Sequence, residues 1–248
     1  MLAYIRWGLP LLLGGSAYVW AGPPFVTNDP DPPEPGQWEV NLPWQMERNR
    51  NGSASGEWLR VDVNYGYDRY TQLSIEMPLP YHLPAEGGLH FGAGDVLLEY
   101  KRRFGTDANA GYFGFNPELT LPTGDAARGL GAGRATLQLP LLYQKQWGDT
   151  VVYGDARYKW HAGDEGKSYW FLGIAFEQSF GERLKLGAEA FVTTPRSYNG
   201  ESNIGFSLGG KWAMAPGRVL MLSAGHSFLG EPELTLFMGL KLLFSPEL

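Results

Sequence analysis

From Gln37 to Phe244 the sequence keeps a two-residue rhythm. Its last stretch shows the rule: Leu234, Leu236, Met238, Leu240, Leu242 and Phe244 share one face, opposite Thr235, Gly239 and Lys241, with Phe237 and Leu243 as exceptions. Successive side chains of a strand point to opposite faces, so each such stretch carries one apolar and one polar face. About a dozen stretches of roughly ten residues repeat this pattern between turn residues. Ten tilted residues span a bilayer, and a closed ring of such strands leaves no unpaired edge in lipid. The pattern predicts an all-β fold: an antiparallel up-and-down transmembrane barrel of twelve strands, apolar outside and polar inside.

The remaining numbers narrow this reading. The chain has 248 residues, within reach of one barrel domain. Its hydrophobic content is 44% and its mean hydropathy −0.24, as expected when half of every strand faces water. The net charge of −6 gives no clustered basic surface, so nucleic acid is not an expected partner. There is no cysteine, which excludes disulfides, cysteine-ligated zinc and a thiol nucleophile. The four histidines, His82, His90, His161 and His226, show no metal-ligand spacing, and no cofactor is expected.

Residues 1–21 read as an export signal. Arg6 supplies the positive start, Trp7 to Val19 is mostly apolar, and Val19-Trp20-Ala21 offers a small-residue cleavage site. Pro10 and the short length argue against a spanning helix. Residues 22–36 (GPPFVTNDPDPPEPG) form a proline-rich, acidic lead-in: either a periplasmic tail or a short plug that enters the barrel. Residues 37–248 are the barrel. Longer and shorter connections alternate, which predicts extracellular loops at one end and periplasmic turns, with both termini, at the other. Trp38, Trp44, Tyr65, Tyr67, Tyr81, Tyr143, Trp147, Tyr158, Trp160, Trp170 and Trp212 sit near predicted strand ends, where aromatic girdles meet the bilayer interface. Pro78 and Pro80 interrupt the third strand and predict a bulge or an early end there.

Leu121-Pro122-Thr123-Gly124-Asp125, followed by Gly129-Leu130-Gly131-Ala132-Gly133, resembles a motif of the outer-membrane transporter family of the meta-pathway of phenol degradation. Pro24-Phe25-Val26-Thr27-Asn28-Asp29-Pro30 is similar to the segment that opens the mature part of its members. Asn28 stands where aspartate is common, and Ala132 where threonine or serine is common. The resemblance implies an outer-membrane barrel that moves small hydrophobic or aromatic compounds. From the residues alone, Pro122 ends a strand, Gly124 permits positive φ and Asp125 can accept from a local amide, so the motif shapes a loop over the mouth or contacts a ligand. The final strand, with Phe244, resembles the signal that the barrel-assembly machinery reads.

The polar faces nominate lumen-lining residues: Arg60, Asp62, Glu76, Glu99, Lys101, Arg103, Glu118, Arg134, Asp155, Arg157, Lys159, Glu189 and Lys211. Charges of mixed sign across a narrow ring must be paired or hydrated, so the expected lumen is narrow or occluded; wide water channels need 16–18 strands. The expected partners are outer-membrane lipid, the assembly machinery and a small solute. An apolar solute would avoid a charged lumen and would need an apolar pocket or a side exit, for which Pro78, Pro80, Gly92 and Gly94 are the candidate weak point. Two other classes remain. A lipid hydrolase would need a Ser–His pair, and Gly225-His226-Ser227 is the nearest match, although adjacent strand residues point apart. An adhesive or scaffolding barrel would carry its function in the loops.

Overall fold

A computed structural model describes residues 23–107, 110–161, 167–196, 198 and 200–245. The export-signal reading of residues 1–21 lies outside them. Twelve antiparallel strands close into a barrel: β1 (Trp38–Arg48), β2 (Ala54–Asp68), β3 (Thr71–Leu83), β4 in two pieces (His90–Phe91 and Val96–Phe104), β5 in two pieces (Tyr112–Phe115 and Glu118–Leu121), β6 (Thr136–Trp147), β7 (Thr150–His161), β8 (Tyr169–Phe180), β9 (Leu184–Thr193), β10 (Asn203–Ala215), β11 (Arg218–Leu229) and β12 (Leu234–Phe244). Each pairs with its neighbours in sequence. β1 and β12 seal the ring in unbroken register, from Trp38 opposite Phe244 to Arg48 opposite Leu234.

The faces are inverted relative to a water-soluble barrel. On β8, Leu172, Ile174 and Phe176 are 49%, 57% and 45% exposed, whereas Glu177 on the opposite face is 5% exposed. Lys101, Asp155, Glu189, Lys211 and Lys241 are likewise buried inside. An apolar exterior that no other described residues cover, around a charged interior, is the arrangement lipid requires. No helix among the described residues is long and apolar enough to cross a membrane; the crossing is by strands.

Short connections gather at the end where the chain enters β1 and leaves β12: 69–70, 148–149, 181–183 and 216–217, with 105–111 the longest of them. Gly148 (φ 57°) and Gly217 (φ 67°) sit in the two tightest with positive φ, which a side chain would strain. The other end holds the connections after β1, β3, β5, β7, β9 and β11, among them the long 122–135, with 49–53 and 230–233 the shortest. Exposed aromatics ring both rims. Trp38 packs on Tyr65, with ring centres 4.7 Å apart, at the short-turn end; Tyr158 packs on Trp170, at 4.9 Å, at the loop end. Their rings combine an apolar body with a polar edge, which suits the headgroup level.

Two strands are divided, both at proline, and the β1–β2, β2–β3 and β10–β11 pairings carry register shifts. β3 does not end at Pro78 but runs on to Leu83; the expected irregularity falls on both neighbours, as a register shift in β2 between Glu57 and Leu59, opposite Pro80 and Leu79, and as an interruption of β4. β4 pairs with β3 from Arg102 to Leu97, stops, and resumes at Phe91 and His90. In the gap the carbonyls of Pro78 and Pro80 accept from the N–H groups of Gly94 (3.0 Å) and Gly92 (3.4 Å), and the prolines return no donor. β5 divides at Asn116-Pro117 for the same reason. β11, apolar on both faces in sequence, is a regular strand whose Val219 and Met221 point inward. Met221 takes up space that Gly239 leaves open beside it.

Candidate functional site

Residues 23–36 lie within the barrel, where the two readings of the lead-in separate. The contacts come from strands all round the wall, which only an enclosed segment can meet. Ser223 of β11 donates to the Pro24 carbonyl (2.7 Å). Glu189 of β9 accepts from the Val26 N–H (3.1 Å), the Thr27 N–H (2.9 Å) and the Thr27 hydroxyl (2.9 Å). Asp155 of β7 accepts from the Asn28 N–H (3.1 Å), and Arg157 donates to the Val26 carbonyl (2.6 Å) while bonding Asp155.

Asp31 anchors the other half of the segment. Its carboxylate accepts from Arg103 of β4 (2.7 Å), the Tyr112 hydroxyl of β5 (2.6 Å) and Gln144 of β6 (2.7 Å). A carboxylate that is 4% exposed is tolerable only with its acceptor sites filled, and these charge-assisted bonds fill them. Phe25 packs with Tyr153, Ala175 and Val151 in the one apolar cluster among the described buried residues. The wall makes room with glycine. A Cβ on Gly114 would lie 2.6 Å from Pro30 Cβ, and one on Gly66 would lie 2.2 Å from the Glu34 carbonyl oxygen. These absent side chains let the inserted backbone approach the wall.

Beside the segment a cavity of about 690 Å³ remains. Residues of the 23–34 segment form one side; residues of β1 to β5, β7 and β9 to β12 form the rest, including Asn41, Asp62, Glu76, Pro78, Pro80 and Leu97. Its lining carries ten carboxylates against five cationic side chains. Arg60 answers two of the carboxylates, with Glu57 and Glu76 both at 2.6 Å.

The 122–135 loop closes over this space. Asp125 caps the short 3₁₀ turn Ala126–Arg128. Thr123 accepts from the Val96 N–H (2.9 Å) and donates to the Gly94 carbonyl (3.0 Å). Asp95 clamps the loop from β4, accepting from Gly124 (2.8 Å) and Ala132 (2.6 Å). Leu130, 3% exposed, is thereby pushed into the cavity lining. Leu121 ends β5, and Pro122, Thr123 and Asp125 are exposed. In this structure the five-residue motif shapes the loop, and its neighbours Gly129, Leu130 and Gly131 reach the cavity.

The residues nominated from the polar faces fall into three groups. Arg60, Asp62, Glu76, Glu99, Lys101, Arg103, Glu118, Arg157, Lys159 and Glu189 line the cavity. Asp155 and Lys211 are inward and buried but outside the cavity lining, Asp155 under Asn28 and Lys211 against Glu177 at 2.7 Å. Arg134 is a correction: it precedes β6, which starts at Thr136, and belongs to the loop. Of the residues that hold the inserted segment, Glu189, Asp155, Arg157 and Arg103 were nominated from sequence, whereas Asp31 within it and Tyr112, Gln144 and Tyr153 on the wall were not. His226 and Ser227 face opposite ways, the first exposed and the second buried against Asn203 at 2.9 Å, so they form no proton-sharing pair. No grouping of three metal-binding side chains occurs among the described residues.

The family whose description reads "Putative MetA-pathway of phenol degradation" matches residues 58–242. The chain belongs to this family. The matched stretch runs from β2 to β12 and includes the whole 122–135 loop. No curated protein matches the sequence. Among solved structures, an outer membrane channel from Pseudomonas putida F1 is similar with a TM-score of 0.69 at 16% identity, covering 87% of this chain and 98% of that one. The KdgM porin is similar with a TM-score of 0.59 at 10% identity, covering 83% and 99%. The NanC porin gives 0.58 at 9%, covering 83% and 98%. At these identities the likeness is one of fold: this member of the family has the outer-membrane barrel architecture.

Proposed function

We propose that the protein passes small aromatic or hydrophobic molecules across the outer membrane, with residues 23–36 acting as a plug that keeps the barrel from being a general pore. One observation carries this reading: the interior holds an inserted segment with a small cavity beside it, and that cavity borders the interrupted β3–β4 pairing. Cavity-lining Pro78 and Pro80 belong to β3 at that break, and Leu97 and Leu130 add apolar surface nearby. A solute that avoids the charged half of the lumen thus has apolar wall and a weak seam within reach. The similar channel and porins, and the phenol-degradation description of the family, favour small-molecule passage over a lipid-hydrolase or adhesive role. On this reading the protein is not an enzyme, the short turns and both termini face the periplasm, and the last strand is what the assembly machinery reads.

Planar-bilayer conductance combined with uptake of a small aromatic panel into proteoliposomes tests the proposal. The intact protein is expected to conduct ions poorly yet admit the aromatic probes. Removal of residues 23–34 is expected to raise ion conductance by about tenfold, since the lumen then holds only water and wall side chains. Aromatic uptake no faster than in empty liposomes would reject the transport reading.

A further inference from the structure

Asn41 of β1, Asp62 of β2 and Glu76 of β3 lie at one level of the wall. The register places Asn41 opposite Asp62, and Asp62 opposite Glu76. All three line the cavity. Two carboxylates directly opposite on neighbouring strands repel, and a structure that keeps them needs a cation nearby. Glu76 has its cation in Arg60, and the cations of this region bond carboxylates other than Asp62. Arg60 bonds Glu57 and Glu76, both at 2.6 Å, and Lys241, the other register neighbour of Asn41, bonds Glu39 at 2.9 Å. Among the described residues Asp62 accepts hydrogen bonds from two side-chain amides, Asn41 Nδ2 and Asn64 Nδ2, each at 2.8 Å, and it makes no ion pair within bonding distance.

A second observation is independent of the acids. Asn41 is 2% exposed, and its Oδ1 has no hydrogen-bond partner. Its Nδ2 is fixed toward Glu39 and Asp62, so the orientation of the amide is set by its neighbours. A buried acceptor without a partner, on a residue that lines the cavity, is costly, and a donor brought to it from the cavity side restores the balance. Next to it stands an acidic side chain. A group with several N–H donors and a positive charge satisfies both, and a primary ammonium is the smallest organic one.

The adjoining surface limits what the ammonium can be attached to. Pro43 follows Asn41 by one inward step on β1, and Pro78 follows Glu76 by one inward step on β3, with Pro80 next. Leu97 lies opposite Glu76 on β4. An acidic patch is thus bordered by a shelf of proline and leucine, which offers apolar contact and no hydrogen-bond donor.

We propose that the cavity binds a small amphipathic amine, its ammonium at Asn41 Oδ1 and Asp62 and its apolar body against Pro43, Pro78, Pro80 and Leu97. This rests on the passage reading above and narrows its solute class from neutral aromatics to protonated ones. Anions are disfavoured by the excess of lining carboxylates.

Isothermal titration of the full-length protein in detergent at pH 7 separates the cases with three molecules of one shape: benzylammonium, benzyl alcohol and benzoate. Benzylammonium is expected to bind about tenfold tighter than benzyl alcohol, with benzoate weakest, because a charge-assisted bond replaces a neutral one. Asp62→Asn keeps the shape and removes the charge; it is expected to abolish the preference while benzyl alcohol binding persists. Asn41→Ala, which spares the carboxylate, is expected to weaken benzylammonium several-fold, and it stands in if Asp62→Asn fails to fold. Equal binding of the amine and the alcohol, or a preference that survives both substitutions, overturns the inference and leaves the passage reading intact. Failure of all three molecules to bind overturns this inference and removes the cavity from the passage reading, which then stands or falls on aromatic uptake.

Discussion

At the residue scale, single carboxylates hold the parts that strand pairing does not. Asp95 is the clearest: one side chain accepts from Gly124 and Ala132 on the two arms of the 122–135 loop. Bonds to an ionised acceptor are worth about 1.5–3 kcal/mol each, and loops open locally in proportion to what holds them. Asp95→Ala is expected to speed trypsin cleavage after the exposed Arg128 by at least about tenfold in the folded, detergent-solubilised protein, with its gel mobility before and after heating unchanged. An unaltered cleavage rate would mean that Thr123 and the Asp125 cap suffice. The loop's role was legible in part: Pro122, Gly124 and Asp125 are turn chemistry wherever they occur. Alternation along its stretch makes Asp95 an inward charge, but nothing there shows that its partners lie 29 and 37 residues away. Asp31 was harder still. An acid among prolines reads as solvated chain, and its three partners come from three different strands.

At the element scale, the strands were readable because a membrane barrel writes its register into every second residue. A one-residue slip would put Asp155, Arg157 and Lys159 into lipid and Ala156, Tyr158 and Trp160 into water. That penalty is local, so twelve strands could be counted from the pattern alone. The exceptions were not local. Whether a proline breaks its own strand or its neighbour's depends on which side its missing N–H faces. Pro78 and Pro80 face β4, so β3 survives and β4 is split. A definite experiment follows. In Pro78→Val/Pro80→Val two N–H groups return at the seam, where the β4 backbone carries Gly92 and Gly94. The pairing is expected to close, thermal unfolding to move upward, and uptake of an apolar aromatic probe to fall several-fold. Uptake that stays the same in a double variant of raised thermal stability would exclude the seam as part of the solute's path.

At the scale of the whole molecule, the barrel and the segment inside it are held by different forces. The wall closes through backbone ladders that run from β1 round to β12 and back. The segment is held by side chains: Asp31, Glu189, Asp155, Arg157 and Ser223, with Phe25 in its apolar cluster. Displacing it leaves charged groups that water entering the lumen can hydrate, so the wall is expected to outlast its filling. Gly114 is the place to test this separation. It is inward, and an added Cβ would meet Pro30 at 2.6 Å and Leu142 only at 3.4 Å, so the load falls on the segment before the wall. Gly114→Leu is expected to push residues around Pro30 from their seat, raising ion conductance several-fold while the protein still migrates as a folded barrel. Gly88→Leu is the matched control, since nothing lies within 4 Å of a Cβ there. If Gly114→Leu instead abolished folding, the segment would belong to the barrel's structural core, and occlusion would be a by-product of how the wall is stabilised. If conductance rose equally in both variants, the increase would owe nothing to Pro30, and the segment would not be what keeps the lumen closed.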